Sequence, residues 1–211
     1  MTAERGGLGV GYEQMLMQAG LGPVAGADEA GRGACAGPLV AAAVILAETR
    51  PIGGLDDSKA LTARARDRLY DLIIAHALAV ACVIVEAGEC DRMGIQAANL
   101  YALRQAILTL EVTPTFVLTD GFAVPDLPMP SLGMWKADQV APCVSAASIV
   151  AKVTRDRIMT SLDEHYPDYE FSKHKGYATA LHQRHLDRHG PCPQHRMSYG
   201  NVAKATKVKS L

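Results

Sequence analysis

An α/β fold is what this sequence predicts: a mixed β-sheet flanked by helices, with a helical extension at the C-terminal end. Three observations carry that expectation. Short apolar runs at residues 23–27, 38–46 and 78–86 are bounded by glycine, proline or polar residues, as buried strands are. Segments with helical apolar spacing then alternate with shorter strand-like runs. From about residue 144 onward only helical patterns remain. Early strands, alternation and closing helices together describe a sheet packed between helices.

The elements follow in order. Residues 12–19 read as a short helix closed by Gly20, within an N-terminal helical extension of about 20 residues. Pro23 to Ala27 and Pro38 to Leu46 read as buried strands. Gly53 to Lys59 is a loop, after which Thr62 caps a helix to about His76. Leu78 to Glu86 is a third strand, and Ile95 to Leu110 a helix with Ile95, Ala98, Leu103, Ile107 and Leu110 near helical spacing. Thr113-Pro114 ends that helix. Phe116 to Leu118 forms a fourth strand ending at Asp120-Gly121, and a proline-rich loop leads to a short strand around Leu132 to Trp135. A long helix from Val144 to about His165 opens with small residues, and another spans about Tyr177 to His189 before Gly190-Pro191.

At 211 residues the chain fits one catalytic-sized domain, with a basic helical region and tail over about 166–211. The longest apolar stretch, residues 33–47, contains Pro38 and is too short to span a bilayer. The N-terminus lacks the pattern of a signal peptide. Five scattered cysteines with no C-x-x-C point to a reduced, cytoplasmic setting. Net charge is −1, but residues 152–211 hold 11 Lys/Arg against 6 Asp/Glu, and the remainder 10 against 16. An acidic part suited to cations thus precedes a basic part suited to phosphates.

Asp28 and Glu29 are adjacent at the end of an apolar run, followed at once by Gly31-Arg32-Gly33. Adjacent carboxylates resist joint ionisation unless a cation lies between them. Glycines flanking an arginine allow backbone to approach a ligand closely. The pair suits a hard-metal site acting on a phosphate or sugar; a solvated turn is the other reading. Asp120 and Asp138 also fall where strands end, the region where α/β sheets gather ligands. Each has a second reading: Asp120-Gly121 as a turn, Asp138 as a helix cap. Because neighbours on a strand face opposite ways, Asp28 and Glu29 share a site only if the strand ends or bulges there.

In sequence order, Asp28-Glu29-Ala30-Gly31-Arg32-Gly33, Asp57-Ser58-Lys59-x-Leu61, Met93-Gly94-Ile95, Asp120-Gly121, Lys136-Ala137-Asp138, residues 145–156, Lys175-Gly176-Tyr177 and His195-Arg196-x-Ser198 resemble type 2 ribonuclease H, ribonuclease HII. The resemblance spans about residues 26–198. Ala137 stands where many members have glycine and Tyr199 where many have phenylalanine. It implies an RNase H-like fold and cleavage of the RNA strand of RNA–DNA hybrids. It also implies incision 5′ of single ribonucleotides in duplex DNA, leaving 3′-hydroxyl and 5′-phosphate ends. Asp28, Glu29, Asp120 and Asp138 would be the catalytic metal carboxylates, and an oxygen-only set suits two Mg²⁺ or Mn²⁺ ions. The backbone of Gly31, Arg32 and Gly33 would meet the ribose 2′-hydroxyl, and Tyr177 the ribo–deoxyribo junction. Lys59, Lys136 and Lys152 are candidate phosphate contacts, each otherwise a surface charge. Ser145 and Ser148 are backbone contacts to the substrate or packing residues. The expected assembly is a monomer on nucleic acid, with no membrane role and no protein partner indicated.

Two constellations compete with that set. Asp156 is a spare carboxylate, read here as part of an ion pair within its helix. His182, His185, His189, Cys192 and His195 have spacings compatible with zinc, but the Gly-Pro break and nearby arginines favour a polar surface helix and a structured turn. A non-catalytic hybrid-binding module and a DNA-strand transferase are the rival functions. The four acidic positions argue against the first, since they hinder polyanion binding.

Overall fold

The computed structural model describes residues 12–55 and 61–208. Helix α1 (Tyr12–Gln18) precedes strands β1 (Val24–Ala30) and β2 (Leu39–Ile45). Then come α2 (Ala63–His76), β3 (Ala79–Val85), α3 (Ala87–Met93), α4 (Ile95–Leu108), β4 (Phe116–Asp120) and β5 (Ser131–Met134). The chain closes with α5 (Pro142–His165), α6 (Phe171–His174), α7 (Ala180–His189) and α8 (Gly200–Val208). The strands form one five-stranded sheet in the order β3-β2-β1-β4-β5. β1 runs antiparallel to β2 and β2 to β3, while β1–β4 and β4–β5 are parallel, so the sheet is mixed as expected.

Strand alternation splits the core into two layers. On one face Ala25, Ala27, Leu39, Ala41 and Ala43 pack against Ala98, Ala102, Leu103 and Ala106 of α4. On the other, Val40, Ala42 and Val44 pack against Ala146, Ala147 and Val150 of α5. The small residues that open α5 let it lie close to the sheet. At Gly26 a Cβ would fall 2.2 Å from the Cys143 backbone carbon, so only glycine admits this approach. Glu13 of α1 accepts a hydrogen bond from Cys143 N–H at 2.8 Å and caps the start of α5 from another helix.

Three elements depart from the sequence expectation. β1 continues to Ala30, through the Asp28-Glu29 pair. Helix α3 occupies residues with no pronounced helical period, held by burial of Ala87 and Cys90. Helix α7 starts at Ala180, not Tyr177, because the Thr179 hydroxyl accepts from His182 N–H and sets the N-cap there. Among the described residues no helix is long and apolar enough to cross a membrane.

Candidate active site

The site begins where the sheet loses one of its pairings. β1 stays paired with β2 as far as Ala30↔Val40. Its pairing with β4 stops at Ala27↔Thr119. Asp28 and Glu29 therefore overhang an open edge, beside Asp120 at the end of β4. The strand neither ends nor bulges between the two acids, so the expected condition for a shared site is corrected: the strand is open on one side only. Asp28 follows Gly26 onto the α5 face and Glu29 follows Ala27 onto the α4 face.

Asp28 is only 6% exposed. Its Oδ1 accepts from Glu29 N–H at 2.7 Å, and the Ser148 hydroxyl bonds it from α5. Burial first, and then the charges of Glu29 and Asp120, push the Asp28 carboxyl well above the usual carboxylate range, although those two hydrogen bonds pull it down. Asp120 Oδ1 accepts from Ala137 N–H at 2.8 Å. That bond fixes the turn Ala137–Gln139, whose buried Asp138 is thereby placed next along the chain. Lys136 supplies the left-handed residue of the turn (φ 58°), so Ala137 needs no glycine-like backbone.

Among the described residues, no three acidic, histidine or cysteine side chains stand close enough to enclose an ion as they are. The donor chemistry nonetheless fits a hard divalent cation. Carboxylate oxygens crowd one edge, and their mutual repulsion at Asp28 is the energy that a cation removes.

Beside the acids lies a cleft of about 450 Å³, lined by Asp28, Glu29, residues 31–33, Ser148, Lys152 and Tyr177. Two buried arginines build its wall. Arg196 donates to Gly37 O at 2.9 Å and to Gly31 O at 2.8 Å, and reaches Arg32 O at 3.3 Å. Arg155 donates to Pro38 O at 2.9 Å and Ala36 O at 3.1 Å. Its guanidinium lies 5.3 Å from the Tyr177 ring centre. Gly31 has φ +90°, and a Cβ there would fall 1.9 Å from Arg155 Nε, so glycine is required twice over. The Tyr199 hydroxyl also donates to Arg32 O. The departure from phenylalanine thus adds a tie to this loop.

A proton chain supports Tyr177 from behind. Cys192 N–H donates to His195 Nδ1 at 3.0 Å. The His195 and His182 Nε2 atoms are 3.0 Å apart, and His182 Nδ1 is 2.9 Å from Tyr177 O. A carbonyl can only accept, so His182 carries its proton on Nδ1 and accepts at Nε2 from His195. Both rings are then neutral. Adding a proton would set two N–H groups against each other, and burial with this proximity lowers both histidines to about 4.

The remaining sequence expectations divide. Lys59 lies outside the described residues. Lys152 lines the cleft and pairs with Asp156 at 2.8 Å, which makes Asp156 the expected intrahelical partner, with Lys152 rather than its flanking arginines. Ser148 touches Asp28, whereas Ser145 has no exposed surface. The histidines lie on a surface helix and its following turn, but not all face outward: His182 and His195 are buried and bonded to each other, while His185 meets Glu170 and His189 faces Asp168. Sequence reasoning missed Arg155 and Arg196 as clamps. The spacing Ala147, Ala151, Arg155, Met159, all at 0% exposure, was the available signal that Arg155 faces inward.

The chain is similar to known proteins over most of its length. The family model for Ribonuclease HII matches residues 25–202. Ribonuclease HII from Cutibacterium acnes is 60% identical over 203 residues, covering 95% of this chain and 100% of that one. The crystal structure of the ribonuclease H2 from Pyrococcus horikoshii OT3 shares 27% identity and a TM-score of 0.74, over 88% of this chain and 97% of that one. RNase HII in the structure of its complex with PCNA from Archaeoglobus fulgidus shares 28% identity and a TM-score of 0.70, over 83% and 94%. The match takes in β1 through the start of α8, with every carboxylate and both clamping arginines inside it, and the chain belongs to the ribonuclease HII family.

Proposed function

We propose that this chain, a type 2 ribonuclease H hydrolase acting on RNA–DNA hybrids, also incises duplex DNA on the 5′ side of a single embedded ribonucleotide. The products are 3′-hydroxyl and 5′-phosphate ends. The observation that carries the reading is the cleft in which residues 31–33 and Tyr177 face the Asp28-Glu29 overhang. Arg196 consumes the carbonyls of Gly31 and Arg32 from the protein side. The loop is left to present its N–H groups, which suit a ribose 2′-oxygen as acceptor.

Asp28, Glu29, Asp120 and Asp138 would hold Mg²⁺ or Mn²⁺ in a two-metal arrangement. When bound, such ions supply activation of water and charge neutralisation at the leaving oxygen. The chain's own residues do the positioning. Ser148 and Glu29 N–H orient the Asp28 carboxylate, and Ala137 N–H orients that of Asp120. Lys152 and Lys136 would draw flanking phosphates to the rim, and the Tyr177 ring, seated on Arg155, would pack against the junction sugar.

Labelled duplex DNA with one ribonucleotide, beside an all-DNA control, tests the reading in Mg²⁺, Mn²⁺ or EDTA. A metal-dependent cut immediately 5′ of the ribonucleotide and none in the control is expected. Cutting of the all-DNA duplex contradicts it. Tyr177→Ala is expected to weaken single-ribonucleotide incision about tenfold more than cleavage of long hybrids, a loss of one stacking contact. An equal loss on both substrates removes Tyr177 from junction sensing.

A further inference from the structure

Trp135 is the chain's one tryptophan and is 84% exposed, against 54% for Met15, the next most exposed large apolar side chain among the described residues. Tryptophan is ordinarily well buried, and leaving its ring in water forgoes a large hydrophobic gain. Its backbone, in contrast, is held on both sides. Gly121 N–H donates to Met134 O at 2.8 Å just before it, and Ala137 N–H donates to Asp120 Oδ1 at 2.8 Å just after it. The ring is therefore anchored within two residues of contacts to the Asp120 end of β4.

Its lateral position completes a line. Met134 is in register with Asp120, and β5 is the outer strand beyond β1 and β4. With strands spaced about 4.8 Å apart, Trp135 emerges roughly 10 Å from the end of β1. Between them Arg32 lies over the Phe122 ring at 4.4 Å, which joins the 31–33 loop to the β4–β5 turn. Tyr177 stands on the opposite flank, over α5. A duplex laid across the carboxylates thus meets one aromatic residue on each side.

We infer that Trp135 is a substrate-contact residue, packing its indole against a nucleotide of the duplex on the β5 side of the cut. This rests on the nuclease reading above. Every base and sugar offers a flat or apolar face, so the contact adds affinity without reading sequence. Lys136, next in the chain, places a cation where a flanking phosphate would lie.

Because Trp135 is the only tryptophan, its emission reports this contact alone. The wild-type protein is titrated in EDTA with duplex DNA carrying one ribonucleotide, and binding is followed separately by anisotropy of a label on the DNA. Quenching or a spectral shift that saturates with the anisotropy is expected. Trp135→Ala is expected to raise Kd and KM about tenfold with kcat unchanged, and Trp135→Phe to restore most of the loss. Unchanged emission at full anisotropy, or wild-type Kd in Trp135→Ala, overturns the contact while leaving the nuclease reading intact. No anisotropy change at any protein concentration overturns the single-ribonucleotide reading above and this inference with it.

Discussion

Two regions of this molecule bury charge, and they do so in opposite ways. At the open edge of β1, Asp28 is buried beside two further acids, and burial and their charges push its carboxyl up further than the Ser148 and Glu29 N–H hydrogen bonds pull it down. Behind the 31–33 loop, Arg196 and Arg155 are buried as deeply, yet carbonyls of residues 31, 32, 36, 37 and 38 meet them. Buried charge met by several carbonyls holds a shape, even with Arg155 Nη1 left without a hydrogen bond. Like charge that hydrogen bonds only partly offset strains the fold and persists where a ligand offsets it. The first region is read as chemistry and the second as scaffold, a contrast that substitution separates sharply.

The largest effect belongs to Asp28→Asn. Cleavage is expected to fall roughly 10³-fold or more, as for removal of one member of a catalytic unit. The melting temperature is expected to hold or rise, since a neutral amide escapes both the burial penalty and the repulsion from Glu29 and Asp120. A large drop in melting temperature with cleavage retained makes Asp28 a scaffold residue instead.

Arg196→Ala is the mirror experiment. It strips hydrogen bonds from Gly31 O and Gly37 O inside the protein, at a cost of about 2–5 kcal/mol for carbonyls left under-satisfied. Urea unfolding is expected to show that loss, and Arg196→Lys to recover little of it, because an ammonium lacks the planar fork. An unchanged urea midpoint removes Arg196 from the scaffold.

Much of this was legible in the sequence because it rests on local patterns. Glycine and proline bound β1 and β2, continuous apolar runs marked them as buried, and the carboxylates at strand ends marked the candidate site. What escaped were long-range pairings. Nothing local shows that β1 keeps one partner to Ala30 and loses the other at Ala27, which is what brings both Asp28 and Glu29 to one edge. Nor does spacing alone show that His182 and His195, 13 residues apart, share a proton across 3.0 Å. The periodic signal at Arg155 was readable, but charge suggested a surface where the i,i+4 ladder pointed inward.

The histidine pair offers a smaller test of the scaffold. Both titrate near 4 when folded, against an ordinary 6.5, so between those values the unfolded chain binds more protons than the folded one. Their contribution is complete above about pH 6.5 and is lost as pH falls through 4. The loss is on the order of a few kcal/mol for the pair. Unfolding midpoints measured from pH 7 to 4 are expected to fall, and to fall less steeply in His182→Gln. Identical slopes for the two proteins remove these rings from the pH response.

Tyr199→Phe probes the seam between the regions and has the smallest expected effect. The change deletes one hydroxyl, which donates to Arg32 O in the loop that faces the acids. Arg32 O keeps a weaker contact from Arg196 at 3.3 Å, so it is not stranded. The stability cost is then that of one ordinary hydrogen bond, about 0.5–1.5 kcal/mol. If the bond only braces the scaffold, cleavage of single-ribonucleotide duplexes and of long hybrids will fall together or not at all. If it also orients the loop's N–H groups toward a lone 2′-oxygen, KM will rise about threefold on the single-ribonucleotide duplex alone, the kinetic counterpart of a fraction of one hydrogen bond. That asymmetry, with kcat unchanged, ties the scaffold to substrate choice through a single carbonyl.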